Sequence, residues 1–107
     1  MKIAIPTNDG LTIAKEFESA GGFLVKTFKN GDLVKEELRK LRFSELINFE
    51  ESYQDKVKDC QYIYVRKIDE EFLDALKEIE IQCIKTQEEL ISKIVFQVKD
   101  EALLKTA

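Results

Sequence analysis

Asn30-Gly31 stands between two runs of strand-forming residues, Phe23 to Phe28 and Leu33 to Leu38. A two-residue turn of the kind that matches strand twist needs positive φ at both central positions, which Asn and Gly tolerate and most residues do not. The pair therefore predicts an antiparallel hairpin, and any fold for this chain must contain it. Ile3, Ala4 and Ile5 form a short, nearly continuous apolar run, as expected of a strand covered on both faces. Asn8-Asp9-Gly10 marks the turn that ends it.

After Ser44 the apolar period changes from two to three or four. Leu46, Phe49, Tyr53 and Val57 form one stripe on a helix that Ser44 would cap. Tyr62 to Val65 reads as a strand. Asp69 would cap a helix carrying Phe72, Leu73, Leu76 and Ile79. Ile81 to Lys85 is the next strand. Thr86 and Glu89 have the spacing of a capping box, which predicts a last helix with Leu90, Ile91, Ile94, Val95 and Val98 on one face. Phe96 and Leu103-Leu104 are less clearly patterned, since Ile94 to Val98 also fits a strand. The order is βββαβαβα. It predicts one α/β domain over residues 1–107, with a mixed sheet of about five strands between helical layers. Helix-linked strands late in the chain should be parallel, with right-handed crossovers.

Composition narrows the chemistry. The 107 residues include 17 basic and 21 acidic side chains, a net charge of −4, which gives no basic footprint for nucleic acid or for an anionic membrane surface. There is no His, so His/Cys zinc sites, Ser-His-Asp triads and Cys-His dyads are excluded. Apolar residues make up 44%, yet no run approaches the 18 or so residues of a bilayer span. The opening Met1 to Pro6 lacks the apolar core and cleavage site of a signal peptide. Cys60 and Cys83, 23 residues apart, suit reduced thiols. A cytoplasmic, non-catalytic domain is the expectation.

Parallel strands gather ligands at their C-terminal ends. That edge should collect Thr7, Asn8 and Asp9 after the first strand, Arg66 and Lys67 after the fourth, and Lys85 and Thr86 after the fifth. Helices starting at Asp69 and Thr86 would add amides and positive dipole ends, suited to a small anion or anionic cluster. Solvated basic residues and ordinary helix caps are the alternative reading. Glu16 and Glu18 could coordinate a hard cation or act in acid–base work, with Glu16 counted among the cofactor-binding candidates; a solvated loop is the alternative reading. Glu50-Glu51 and Asp69-Glu70-Glu71 read as helix surfaces or first turns, where acids favour the dipole.

The run Met1-Lys2-Ile3-Ala4-Ile5-Pro6-Thr7-Asn8-Asp9-Gly10, with Phe17, Ala20, Phe23 and the Asn30-Gly31 hairpin, resembles the opening of the dinitrogenase iron–molybdenum cofactor biosynthesis family. Lys58 to Ile63 and Ile79 to Thr86 are similar to its later strands. The resemblance implies a ribonuclease-H-like three-layer fold, without ribonuclease activity. It further implies an iron–sulfur or iron–molybdenum-type cluster, carried or delivered between proteins. Cluster donor or acceptor proteins would be the partners, and a homodimer one arrangement. Two family segments differ. A His-Phe-Gly-Arg stretch is Glu16-Phe17-Glu18-Ser19 here, and a Gly-rich turn is Arg66-Lys67-Ile68-Asp69.

Thiolates are the natural cluster ligands, and four are usual. Cys60 and Cys83 could hold one only across a homodimer or with carboxylate help. Cys60, at the end of a helix, is the metal-ligand candidate; packing as a small apolar group is the alternative for both. Three functions follow. The first is a carrier with its ligand at the C-terminal strand edge and the Glu16–Gly22 loop. The second is a degenerate interaction or regulatory module without metal. The third, a ribonuclease-type enzyme, is weakest, because only Glu36 and Glu37 place carboxylates inside a strand.

Overall fold

The computed structural model describes residues 1–94 and Phe96. Three strands come first: β1 (Lys2–Thr7), β2 (Gly22–Lys29) and β3 (Asp32–Lys40). Helices α1 (Phe43–Ile47) and α2 (Phe49–Val57), strand β4 (Tyr62–Val65), helix α3 (Glu70–Glu78) and strand β5 (Gln82–Lys85) follow. Single 3-10 turns occupy Phe17–Ser19 and Ile91–Lys93. The five strands make one mixed sheet in the order β3-β2-β1-β4-β5. β1 runs antiparallel to β2 and parallel to β4, which in turn runs parallel to β5. The α/β class and the mixed five-stranded sheet are those expected.

Asn30 and Gly31 both have positive φ, 53° and 84°, so the hairpin closes on the two residues that predicted it. Lys29 then pairs with Asp32. The register slips between Thr27 and Phe28, leaving Val34 as the extra residue of a bulge. Gly22 opens β2 where a Cβ would lie 2.8 Å from the Arg39 carbonyl oxygen, so the two strands can approach there only without a side chain.

Alternation splits the apolar residues between two faces. Ala4, Phe23, Val25, Ile63 and Val65 face α2 and α3, which supply Phe49, Tyr53, Val57, Phe72 and Leu76. Ile3, Ile5 and Tyr64 face the other way, against Ile13, Ile91 and Ile94. Both faces are covered, but among the described residues only one is covered by helices.

Three helix expectations need correction. The first helix is two. α1 follows Arg42, whose amide donates to Glu45 Oε1 at 2.8 Å, so Ser44 lies inside the helix and is not its cap. Asn48 (φ −112°, ψ 50°) interrupts it, with its side-chain Nδ2 donating to the Ser44 carbonyl at 3.4 Å. A short amide side chain that bonds its own backbone competes with helix continuation. Leu46 is consequently left outside the buried stripe, while Phe49, Tyr53 and Val57 are buried as expected. Asp69 precedes α3 but makes no side-chain cap bond; Phe72 and Leu76 are buried and Ile79 is exposed.

The last helix, opening at Thr86 and completing the βββαβαβα order, does not form at its expected start. Thr86 Oγ1 accepts from the Glu88 amide at 3.1 Å, a local turn. The Glu89 carbonyl accepts from Ile13 N and the Ile91 amide donates to Leu11 O, both at 2.9 Å, and Leu90 bridges Thr12. Backbone groups that a helix would need internally are engaged across the loop, and the segment lies extended over the sheet. Val95, Val98, Leu103 and Leu104 lie outside the described residues. Among the described residues no helix is long and apolar enough to cross a membrane.

Candidate functional site

Thr7, Asn8 and Asp9 end β1 at the expected sheet edge, and their side chains are engaged with their own loop. Asp9 Oδ1 accepts from the amides of Leu11 (2.9 Å) and Thr12 (2.8 Å) and from the Thr12 hydroxyl (3.0 Å). Those donors, the Thr12 amide first, favour the charged carboxylate and pull its pKa down to about 2. Thr7, 1% exposed, donates from Oγ1 to the Thr12 carbonyl at 2.6 Å and accepts from the Gly10 amide at 2.9 Å. Asn8 Oδ1 accepts from the Gly21 amide at 2.7 Å, and its Nδ2 donates to the Ser19 carbonyl at 3.2 Å. A Cβ at Gly21 would lie 2.8 Å from that same Asn8 oxygen. Together the three side chains close the 8–21 loop and fix the course that carries Phe17 into the core.

Arg66, Lys67, Lys85 and Thr86 come together at the same edge because β4 and β5 are parallel and in register, Val65 opposite Lys85. The Thr86 amide donates to the Val65 carbonyl at 2.8 Å. Arg66 Nη2 lies 3.7 Å from Glu89 Oε1, a long and partly solvated ion pair. Lys67 and Lys85 are exposed and form no ion pair with a described residue. Glu16 is drawn in from the 8–21 loop, since the next residue, Phe17, donates its amide to the Lys67 carbonyl at 2.9 Å. The rim therefore offers the charge of Lys67 and Lys85, with Arg66 turned to the Glu89 carboxylate.

Cys60 sits at the other edge of the sheet, before the N-terminal end of β4. It is 4% exposed, and burial, aided by the neighbouring Asp59 carboxylate, pushes its thiol up to about 12. Its Sγ donates to Asp59 Oδ1 at 3.7 Å. Cys83 packs against the helix-side core, and burial raises it to about 11. Burial thus makes both thiols less acidic than usual, and thiolate is the form that binds metal. Among the described residues no group of three or more His, Cys, Asp or Glu is placed to hold a metal ion.

Two features escaped the sequence. Arg39, on edge strand β3, makes a two-pronged pair with Asp59, Nη1 to Oδ1 at 2.6 Å and Nη2 to Oδ2 at 2.9 Å. It also donates to the Lys56 carbonyl at 2.7 Å and pairs with Glu37. This ties β3 to the α2–β4 junction. No local pattern signals a pair separated by 20 residues. The second is a cleft of about 440 Å³ near the N-terminal ends of α2 and α3, which gathers Glu18, Glu50, Glu51, Asp69 and Glu71 around Ile47, Phe49 and Phe72. Each acid is unremarkable at its place in the sequence; only the packing of α2 beside α3 assembles them.

A family model described as dinitrogenase iron–molybdenum cofactor matches residues 1–101. Among solved structures, the crystal structure of PH0822 has a TM-score of 0.71 at 18% identity, covering 95% of this chain and 88% of that one. The crystal structure of mj0327 from Methanocaldococcus jannaschii gives 0.71 at 16%, covering 95% and 90%. The solution structure of the same archaeal protein gives 0.68 at 15%, covering 98% and 89%. At such identities the likeness is one of fold. No curated protein matches the chain.

Proposed function

The chain belongs to the dinitrogenase iron–molybdenum cofactor family, and from that premise we propose that it is a non-catalytic accessory in the handling of a metal–sulfur cofactor. In this reading the cofactor is cargo, exchanged with a donor or acceptor protein. It meets the chain at the rim of Arg66, Lys67 and Lys85 and is held there by charge, with no thiolate ligation from this chain. The observation that carries the reading is the placement of the thiols. Cys60 is buried at the opposite edge of the sheet from this rim, and Cys83 packs against the helix-side core. A cluster bound by thiolates would have to overcome that burial before any bond formed. Lys67 and Lys85 have no competing ion pair with a described residue, and an anionic cluster is what such a rim attracts.

A second reading, an interaction or regulatory module without metal, has its own support. Glu16 stands in place of the His of the resembled family segment, and its chain neighbour Phe17 is bonded through its amide to the Lys67 carbonyl, which puts an acidic residue in the loop next to the rim.

Anaerobic mixing with iron and sulfide, or with a preformed cluster, separates these readings by absorbance and by metal analysis after gel filtration. Uptake by the charge route is sensitive to salt, reduced in Lys67→Glu and Lys85→Glu, and indifferent to Cys60→Ser. Stoichiometric, salt-resistant uptake that disappears in Cys60→Ser would overturn it in favour of a thiolate carrier. No uptake by the wild type would overturn it in favour of the metal-free module.

A further inference from the structure

The acid-rich cleft between α2 and α3 is continuous with a second, of about 210 Å³, through the shared residues Glu50, Glu71 and Phe72. Together they form a groove along the two helices. Phe49, Tyr53, Phe72 and Ala75 lie beneath it, the three rings almost wholly buried, and its rims are carboxylates. At one end stands Ile47, 68% exposed, on a short helix that also leaves Phe43 78% and Leu46 43% exposed. Among the described residues α1 buries no side chain at all. Three exposed apolar side chains on one short helix beside this groove are more than the scattered single residues a soluble surface normally shows.

The charge around it is equally unbalanced. Glu18, Glu50, Glu51, Asp69 and Glu71 form no ion pair with any described residue. The N-terminal ends of α2 and α3 point here and account for part of this, as acids in a first turn are favoured by the dipole. Two helix ends supply only about one unit of positive charge, against five carboxylates. One oxygen, Glu18 Oε2, is buried with no hydrogen-bond partner.

We propose that this groove and the Phe43/Leu46/Ile47 ridge dock a basic amphipathic segment of a partner protein, its apolar side on the ridge and its Lys or Arg residues on the carboxylate rims. Recognition of an amphipathic helix has these two requirements, an exposed apolar surface and flanking charge of the opposite sign. The same charge argues against other occupants. A two-fold contact with a second copy would lay this acidic face on itself. Nucleic acid and anionic lipid carry the wrong sign. The inference rests on this surface and not on the cofactor reading, so either can fail alone.

The probe is a fluorescein-labelled Lys/Leu amphipathic helical peptide of about five turns, titrated with the full chain by anisotropy and by amide NMR shifts. Binding is expected to shift amides of α1, α2 and α3 and to weaken about tenfold in Ile47→Ser and in Phe43→Ser. Both side chains are exposed, so both variants should fold. Glu50→Gln with Glu71→Gln, or raising salt from about 0.05 M to about 0.5 M, should weaken it further. A matched Glu/Leu peptide should not bind. Equal binding of both peptides, shifts confined to other surfaces, or binding unchanged in Ile47→Ser and Phe43→Ser would overturn the proposal. Concentration-dependent dimerisation lost in Phe43→Ser would also overturn it, giving the surface to a second copy.

Discussion

Asp9 shows how a polar residue at the expected sheet edge can be wholly occupied by its own fold. Its carboxylate is worth most to the loop when charged, since three donors within 3.0 Å face Oδ1. The folded-state pKa is about 2 against an ordinary 3.8. A depressed carboxyl stabilises the fold above its unfolded pKa and loses that contribution as pH falls through the folded value. Asp59, held well below the usual carboxylate range by Arg39, acts in the same direction. Stability should therefore decline from about pH 4 to about pH 2, and Asp9→Asn, which keeps an acceptor but does not titrate, should flatten that decline. Urea midpoints measured across the window check this; parallel curves for the two proteins would show that Asp9 does not couple to folding. The turn was legible in Asn8-Asp9-Gly10, but the partners of these side chains were not. Asn8 bonds to residues 19 and 21, across a loop whose path no local pattern specifies.

Elements were legible where pattern and backbone chemistry agreed. Asn30-Gly31 named its own turn, and the strands over 62–65 and 82–85 follow from short apolar runs between helices. Where two uses of the backbone competed, the sequence could not decide. Thr86 and Glu89 have capping spacing, but the 11–13 loop offers Leu11 and Ile13 as partners and takes the segment. Local propensity yields to such contacts because each engages backbone groups while burying Ile91 and Ile94. The end of α3 shows a smaller conflict. Glu80 follows the helix with φ 62°, its amide donating to Lys77 O at 3.0 Å and Ile81 N donating to Leu76 O at 2.9 Å. That arrangement favours glycine, since a Cβ in the left-handed region costs about 1–2 kcal/mol. Glu80→Gly should stabilise the protein by about 0.5–1 kcal/mol after the entropy of the freer unfolded chain is subtracted. The matching rise in Tm is about 2–6 °C. A fall in Tm by calorimetry would mean that the Glu80 side chain has a stabilising contact outweighing its backbone strain.

At the scale of the whole molecule, the helical layer, the sheet and the 8–21 loop meet at one side chain. Phe17 is fully buried, and its ring centre lies 5.2–5.8 Å from those of Tyr53, Phe72, Phe49 and Phe23. Two of these rings come from α2, one from α3 and one from β2. The edge-on contacts with Tyr53 and Phe49 (88° and 80°) are the favourable arrangement for aromatic pairs. A residue between β1 and β2, in a segment with only a single 3-10 turn, thus fills the centre of the core. The hydrogen bonds of Thr7, Asn8 and Asp9 hold the loop that carries it there, so these side chains act as a clasp on the fold. Phe17→Ala should cost about 3–5 kcal/mol, because the surrounding rings belong to different elements and cannot all collapse into the space. For a domain of this size that is a large share of a total of about 5–15 kcal/mol. Phe17→Leu should cost less, since it keeps most of the apolar volume and loses only the ring contacts. Denaturant unfolding of both variants measures the difference. If the loop belongs to the cooperative unit, the midpoint falls while the slope with denaturant stays constant. A loss below about 1 kcal/mol for Phe17→Ala would instead mean that the loop opens independently of the sheet and helices.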